Sequence, residues 1–471
     1  MSLDKFREEC GLLGVWNHKE SANLAYLGLH ALQHRGQEGA GIVALDSSNG
    51  NKHFSFHRGM GLVAEVFSGF DFAELPGSSC IGHVRYTTAG GNTLRNVQPF
   101  FVEIAQGGIA LAHNGNLTNA DELKRDLIEA GSIFASTSDT EAIIHLIARA
   151  PKNLPLIEGV IAALQKIKGA YSLLMLFDDR LLAVRDPAGV RPLCLGKLNG
   201  SYVIASETCA FDLIGAEYER DIAPGEILEI SGANVLKSYF PFGKSREASC
   251  IFEYVYFARP DSSVFNRHVY PIRKRMGAEL AREHPVKADL VIPVPDSGTT
   301  AAMGYAQETG LPLELGLIRN HYIGRTFIEP KQSIRDFGVK LKLNANTAAL
   351  KDKIVVVIDD SIVRGTTSQK ILNMIRKAGA KEVHLRISSP PTTNPCYYGI
   401  DTPQRQELIA SHKTVEEIAK FIGVDSLAYL SMEGMYRAVR AARAEMCDAC
   451  FSGEYPVGTP SDFVSKQGKL V

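Results

Sequence analysis

No apolar run in this sequence is long enough to cross a bilayer: stretches such as residues 354–358 (IVVVI) fall far short of the roughly 20 residues a membrane helix needs. The opening MSLDKFREEC carries Asp4, Glu8 and Glu9 and lacks the apolar core of a secretory signal. Excess charge of either sign is also missing, since 51 basic residues meet 52 acidic ones for a net charge of −1. No global field therefore steers the chain to nucleic acid or an anionic membrane, and neither partner is expected. Any anion site must be local. Cysteine is sparse, eight in 471 residues, which excludes a disulfide scaffold and points to metal binding or catalysis in a reducing cytoplasm. Internal repeats and low-complexity segments are absent.

The rest is ordinary globular composition, 45% hydrophobic and 22% charged. At about 150 residues per domain, the length predicts two or three domains. To about residue 240 the chain reads as short β-rich runs (41–45, 109–113, 171–177, 202–204, 225–230) mixed with helical patterns at 140–148 and 156–167. The second half changes grammar. Residues 289–294 and 354–358 are nearly continuous apolar runs, as in parallel strands buried on both faces. Ile371, Met374, Ile375 and Ala378 then fall on one helix face, with Gly379 as its C-cap and residues 382–388 as the next strand. Thr414 and Glu417 form a capping box opening a helix through Ile422. Pro241, Gly243, Lys244, Arg246 and Glu247 mark a boundary near 235–250.

The most informative string is VVVIDDSIVRGTTS, residues 355–368. An apolar strand ends in Asp359 and Asp360, and a loop with Ser361, Arg364, Gly365, Thr366 and Thr367 runs into a helix. Glycine permits close backbone approach, while loop amides and a helix N-terminus attract phosphate. Paired carboxylates at a strand end suit sugar hydroxyls and Mg²⁺. A generic acidic pair after a strand is more often a capped turn, but the whole fourteen-residue string is far more specific. It resembles the PRPP motif of type I phosphoribosyltransferases. The resemblance implies that Asp359 and Asp360 meet the ribose hydroxyls and metal, that Ser361 joins the PRPP site, and that Arg364, Gly365, Thr366 and Thr367 wrap the 5-phosphate.

A second loop, VIPVPDSGTT at 291–300, places Asp296, Ser297 and Gly298 where pyrophosphate would sit, with Ser297 joining the two aspartates at Mg²⁺. Between the loops lies a basic stretch, 319–342, with Lys331 and Arg335 among its cations. Alone it reads as a solvated loop; beside two phosphate loops it reads as a flap that neutralises pyrophosphate and excludes water.

Near the N-terminus, Cys10 opens CGLLGVW, followed by LQHRGQEGAG at 32–41, GHVRYTTA at 82–89, HNGN at 113–116 and SDTE at 138–141. A lone cysteine before an apolar strand is usually core, and Asn-Gly is usually a hairpin turn. Together the strings resemble the glutaminase domain of the N-terminal-nucleophile amidotransferases. The resemblance implies Cys10 as nucleophile, its own α-amine as base, and Asn114 with the Gly115 amide as oxyanion hole. It assigns Arg85 to the α-carboxylate of glutamine, Asp139 to the α-ammonium, and Arg35 to shaping the glutamine site. An amide nitrogen cannot act as the base, so residues 1–9 form a leader to be removed between Glu9 and Cys10.

By spacing, Cys447 and Cys450 favour zinc or a redox pair. With Cys250 and Cys396, their sequence contexts resemble the leader-containing, iron-sulfur class of amidophosphoribosyltransferases, which implies a structural [4Fe-4S] cluster. The expected architecture is an α+β N-terminal-nucleophile hydrolase domain (four-layer αββα, residues 10–235) followed by an α/β type I phosphoribosyltransferase domain (236–471) with a mostly parallel sheet. The expected activity is glutamine-dependent transfer of ammonia to C1 of PRPP. The resemblance further implies purine nucleotide inhibitors and a homotetramer. The alternative is a non-catalytic PRPP-sensing regulator retaining the fold.

Overall fold

The computed structural model describes residues 10–47, 52–86, 91, 93–151, 153–243, 245–320 and 343–460. Thus the leader 1–9, the flap residues Lys331 and Arg335, and residues 87–89 of the GHVRYTTA string lie outside the described residues.

The first half stacks two antiparallel sheets. Its elements are β1 (Gly11–Trp16), α1 (Ser21–Ala31), β2 (Gly39–Asp46), β3 (His53–Met60), β4 (Ser79–Arg85), β5 (Phe100–Ile104) and β6 (Gly107–Leu117). There follow α2 (Ala120–Glu129), α3 (Thr140–Ala148), α4 (Leu156–Leu164), β7 (Gly169–Phe177), β8 (Arg180–Arg185), β9 (Cys194–Leu198), β10 (Ser201–Ala205), α5 (Cys209–Ile214), β11 (Glu217–Asp221), β12 (Ile227–Ser231) and β13 (Val235–Tyr239). One sheet runs β11-β9-β10-β1-β4-β2-β3, the other β13-β12-β8-β7-β6-β5.

Leu12, Val43 and Ile81 of the first sheet meet Ala110, Leu174 and Leu228 of the second in a fully buried seam. Helices α1 and α5 cover the outer face of one sheet, and α2, α3 and α4 that of the other. This is the four-layer αββα arrangement. It also explains why β1 and β7 are buried along their whole length, with no polar alternation: both faces of each sheet are covered. The sheet continues through Tyr239 because β13 pairs with β12, so the boundary expected after residue 235 falls inside a strand.

The second half begins with α6 (Val269–Glu283), β14 (Leu290–Pro293), α7 (Thr299–Thr309), β15 (Leu317–Arg319), β16 (Leu343–Ala345) and β17 (Ile354–Asp359). It ends with α8 (Thr366–Lys377), β18 (Glu382–Ile387), α9 (Val415–Ile422), β19 (Ser426–Tyr429) and α10 (Met432–Val439). Strands β14-β17-β18-β19 form a parallel sheet. The capping box at Thr414 forms as its sequence predicts, with Thr414 Oγ1 accepting from the Glu417 amide. Gly379 follows α8 at φ +96°, the left-handed turn a C-cap glycine supplies.

Candidate active sites

Strand β1 places Cys10 at the end of the first sheet, 8% exposed, where Gly11 pairs with Val84 of β4. Its Sγ lies 3.7 Å from the Tyr86 carbonyl. The next residue of β4, Arg85, is also buried, and its Nη2 donates to Gly91 O at 2.8 Å. Its Nη1 is buried without a hydrogen-bond partner among the described residues. Burial lowers the guanidinium pKa, and the nearby Cys10 and Glu38 push it back up. A buried donor held like this costs about 1–3 kcal/mol unless a ligand engages it.

Asn114 and Gly115 lie in the middle of β6, opposite Ser172 and Tyr171 of β7. The Asn-Gly pair is therefore no hairpin turn. The Asn114 side chain is fully buried, and its Oδ1 and Nδ2 have no hydrogen-bond partner among the described residues. Gly115 adopts φ +141°, and a Cβ there would strike the Ala170 carbonyl, so only glycine fits. Asp139, just before α3, accepts from the Leu117 amide at 2.9 Å and faces His113 Nδ1 at 3.6 Å. Burial would raise its pKa, but His113 and the Leu117 and Thr140 amides outweigh it and hold the carboxyl below its usual range. Nearby, burial pushes His83 down to about 3, leaving a neutral imidazole whose Nε2 faces the His113 carbonyl at 3.2 Å.

Arg35, expected to shape the glutamine site, lies in a buried ionic cluster beside Cys10. It is 2% exposed, and its guanidinium is engaged by Glu207 and by Glu253, whose carboxylate it meets at 2.7 and 3.0 Å. Its Nε donates to the Cys10 carbonyl at 3.2 Å. Arg35 thus supports the nucleophile from beneath. Arg191 joins the cluster, with Nη1 3.3 Å from Glu253 Oε1. Burial opposes ionisation of both glutamates, yet the arginines, with His34 at Glu207, hold both pKa values below normal.

The four cysteines converge from distant segments into one apolar core. Cys250 and Cys447 face each other in a short parallel pair, and Cys396 Sγ accepts from the Tyr398 amide at 3.3 Å. Burial pushes the Cys447 thiol up to about 12, and burial followed by the charges of Cys250, Cys447 and Cys396 raises Cys450 well above normal. Among the described residues, no group of three or more His, Cys, Asp or Glu side chains is placed to hold a metal ion, the four cysteines included.

In the second half, the parallel pairing of β14 with β17 brings both loops to one sheet edge, and the Val294 amide donates to Ile358 O at 2.8 Å. Gly298 packs so closely that a Cβ would collide with that Ile358 carbonyl. Asp359, Asp360 and Ser361 are 3%, 1% and 4% exposed. Asp359 Oδ1 accepts the Asp360 amide at 2.9 Å, and Ser361 Oγ donates to Asp360 Oδ2 at 2.7 Å. Arg273 of α6 donates to the Tyr254, Glu253 and Ala258 carbonyls; burial lowers its pKa to about 10 and the charge of Asp360 opposes the shift. Gly365, at φ +80°, is the N-cap of α8 and turns Thr366 and Thr367 into the helix N-terminus. Arg364 pairs with Glu407 at 2.8 Å and Asp296 with Arg319, at the base of the basic stretch. Both pairs are exposed, and such pairs are worth at most about 1 kcal/mol, so a phosphate can displace them.

Sequence reasoning missed Glu207, Glu253, Arg191 and Arg273. Glu253 carried a readable signal: it is the lone charge in the apolar run CIFEYVYF at 250–257. The other three lie in unremarkable contexts.

Residues 84–212 match the glutamine amidotransferase domain family and residues 268–398 the phosphoribosyl transferase domain family. Across 96% of its length the chain is 52% identical to the amidophosphoribosyltransferase of Rhizobium etli, covering 92% of that protein. It is 50% identical to that of Methanocaldococcus jannaschii, with 95% of this chain and 97% of that one covered. A solved structure of glutamine PRPP amidotransferase from B. subtilis, complexed with ADP and GMP, superposes with a TM-score of 0.90 at 47% identity, over 96% of this chain and 98% of that one.

Proposed function

The chain belongs to the amidophosphoribosyltransferase family, and from that premise we propose how its residues divide the work. The activity is glutamine-dependent transfer of ammonia to C1 of PRPP, giving 5-phosphoribosylamine, glutamate and pyrophosphate, the first step of purine biosynthesis. The observation that carries the residue assignment is a set of buried side-chain atoms with no hydrogen-bond partner among the described residues: Arg85 Nη1, on the arginine whose pKa the Cys10 charge raises, and both polar atoms of Asn114.

The Cys10 thiolate attacks the side-chain amide carbon of glutamine, forming a C–S bond and an oxyanion that Asn114 Nδ2 and the Gly115 amide stabilise. The base is the Cys10 α-amine once residues 1–9 are removed; its ordinary pKa of about 7.7–8.0 suits proton transfer near neutrality. Arg85 takes the α-carboxylate and Asp139 the α-ammonium. The C–N bond breaks, the nitrogen leaves as ammonia with the transferred proton, and water hydrolyses the thioester to glutamate. Arg35 keeps the Cys10 carbonyl, and so the nucleophile, in place.

In the second site ammonia attacks C1 of PRPP, the C1–O bond breaks and pyrophosphate departs. Asp359 and Asp360 hold the ribose hydroxyls, and residues 364–367 with the α8 N-terminus receive the 5-phosphate. The 296–298 loop, with Lys331 and Arg335, takes the pyrophosphate. Ser297, Asp359 and Asp360 offer only hard oxygen donors, the set that Mg²⁺ takes beside substrate phosphates. Mg²⁺ would neutralise the departing pyrophosphate.

Cys250, Cys396, Cys447 and Cys450 would hold a [4Fe-4S] cluster whose part is structural. Supporting this, the four cysteines meet at one apolar core, where burial and the neighbouring thiols raise the Cys450 and Cys447 pKa values, a cost that cationic iron would relieve. The proposal includes purine nucleotide inhibition, a homotetramer and a cytoplasmic setting. Among the described residues no helix is long and apolar enough to cross a membrane.

The test is glutamate and pyrophosphate release from anaerobically purified protein given glutamine and Mg²⁺, with and without PRPP. Both products should appear together, and Cys10→Ala should abolish the glutamine-dependent reaction while the ammonia-dependent one persists. Loss of both in folded, processed Cys10→Ala would overturn the division of labour.

A further inference from the structure

The oxyanion peptide is not supported by the first half alone. Residues 397–399, where the phosphoribosyl transferase match ends at residue 398, lie directly against it. Asn116 Nδ2 donates to the Tyr397 carbonyl at 3.2 Å, and Arg191 Nε donates to the Tyr398 carbonyl at 3.0 Å. Gly399 makes the closest approach: a Cβ built there would sit 2.9 Å from Gly115 Cα and 3.1 Å from its carbonyl carbon, and its φ of +110° already excludes most side chains. Gly115 itself has no room to retreat, because a Cβ on it would strike Ala170 of β7. The glycine is therefore held between β7 and a loop from the other half of the chain.

That loop is firmly anchored on its far side. The Cys396 amide donates to Thr402 Oγ1 at 2.7 Å, Tyr398 OH donates to the Gly458 carbonyl at 2.9 Å, and Tyr455 OH donates to the Pro395 carbonyl at 2.6 Å. On the near side, Arg191 links it to Glu253, which also receives Arg35, the residue holding the Cys10 carbonyl. Nucleophile and oxyanion peptide are thus tied to one buried assembly contributed by both halves.

We propose that residues 397–399 brace the Asn114–Gly115 oxyanion peptide, with Gly399 and Asn116 as positioning residues for glutamine hydrolysis. The inference rests on the oxyanion-hole reading of Asn114 and Gly115. An amide that stabilises charge only in the transition state must be pre-aimed, so a small displacement lowers kcat and leaves ground-state glutamine binding alone.

The experiment uses full-length, processed enzyme and measures glutamine hydrolysis and ammonia-dependent pyrophosphate release side by side. Gly399→Ala should lower the kcat of glutamine hydrolysis about tenfold or more, given that losing one oxyanion donor outright costs about 10²–10³. KM for glutamine and the ammonia-dependent rate should stay within about twofold. Asn116→Ala adds no bulk and should show the same pattern more mildly, about two- to tenfold for one neutral hydrogen bond; if Gly399→Ala does not fold, this variant decides. Parallel loss of both activities, an unchanged kcat, or a rise in KM alone would overturn the brace. Asn114→Ala with full glutaminase kcat would instead overturn the oxyanion reading beneath it.

Discussion

Replacing Glu253 by glutamine keeps the shape of the side chain but removes the charge that two buried arginines share. In the native protein Glu253 receives Arg35 at 2.7 and 3.0 Å and Arg191 at 3.3 Å, in surroundings where both Arg35 and Glu253 are almost inaccessible to water. Removing one partner of a buried pair costs about 3–5 kcal/mol, because the remaining charge is stranded out of water. Glutamine retains one acceptor oxygen, so Glu253→Gln should fall at the low end, about 3 kcal/mol, or about 6–12 °C in the melting temperature of a 150–250-residue domain. The only tryptophan, Trp16, is 6% exposed on β1, so its fluorescence reports melting of the first half.

The pH dependence supplies a second readout. The native pKa of Glu253 is depressed: burial would raise it, but Arg35 and then Arg191 prevail. Its stabilisation is therefore fully present above the unfolded value of about 4.3 and disappears as pH falls through the lower native value. The gap between wild type and Glu253→Gln should be flat from neutrality to about pH 5 and narrow in acid. A double-mutant cycle with Arg35→Met should give a coupling energy of about 1.5 kcal/mol or more. Additivity within about 0.5 kcal/mol would refute the argument, as would a stability gap that widens in acid.

Arg85→Gln should raise KM for glutamine about 10–100-fold, the worth of a charge-assisted contact, with ammonia-dependent activity unchanged; steady-state kinetics with both nitrogen donors will show it. Because Asp139 is held below the usual carboxylate range, it stays ionised through mild acid, and KM for glutamine should be flat from pH 8 to about 5. A titration of KM with a midpoint in that window would contradict the assignment. Gly298→Ala forces a methyl onto the Ile358 carbonyl and should weaken PRPP use about tenfold or more while sparing PRPP-independent glutamine hydrolysis, read as pyrophosphate release against PRPP concentration.

Chemistry carried by contiguous residues was legible before any coordinates. Asp359, Asp360 and Ser361 end one strand, Gly365 caps the next helix, and the whole unit needs only local backbone geometry to form, so a string of fourteen letters suffices. Helix α3 begins and ends where its periodicity predicts, while α4 stops at Leu164, short of the expected Ile167. Sequence pattern failed where competing readings share the same letters. Asn114–Gly115 is a turn by local preference and a mid-strand pair in the protein, because β7 supplies the partner that overrides the preference. Val235–Tyr239 likewise carries no strong strand signal, and its pairing with β12 decides it.

What the sequence determined by itself was the two chemistries and their order along the chain, since a nucleophile, an oxyanion pair and a phosphate loop each occupy a few neighbouring residues. Only the tertiary structure decided what holds them. Arg35 is a conventional ligand candidate until Glu207 and Glu253, 172 and 218 residues away, claim its guanidinium. Gly399 is an ordinary loop glycine until the fold presses it against Gly115. Such contacts join residues whose separation in the chain carries no periodicity, and burial alone, by making an unpaired charge or a misplaced methyl costly, gives them their force.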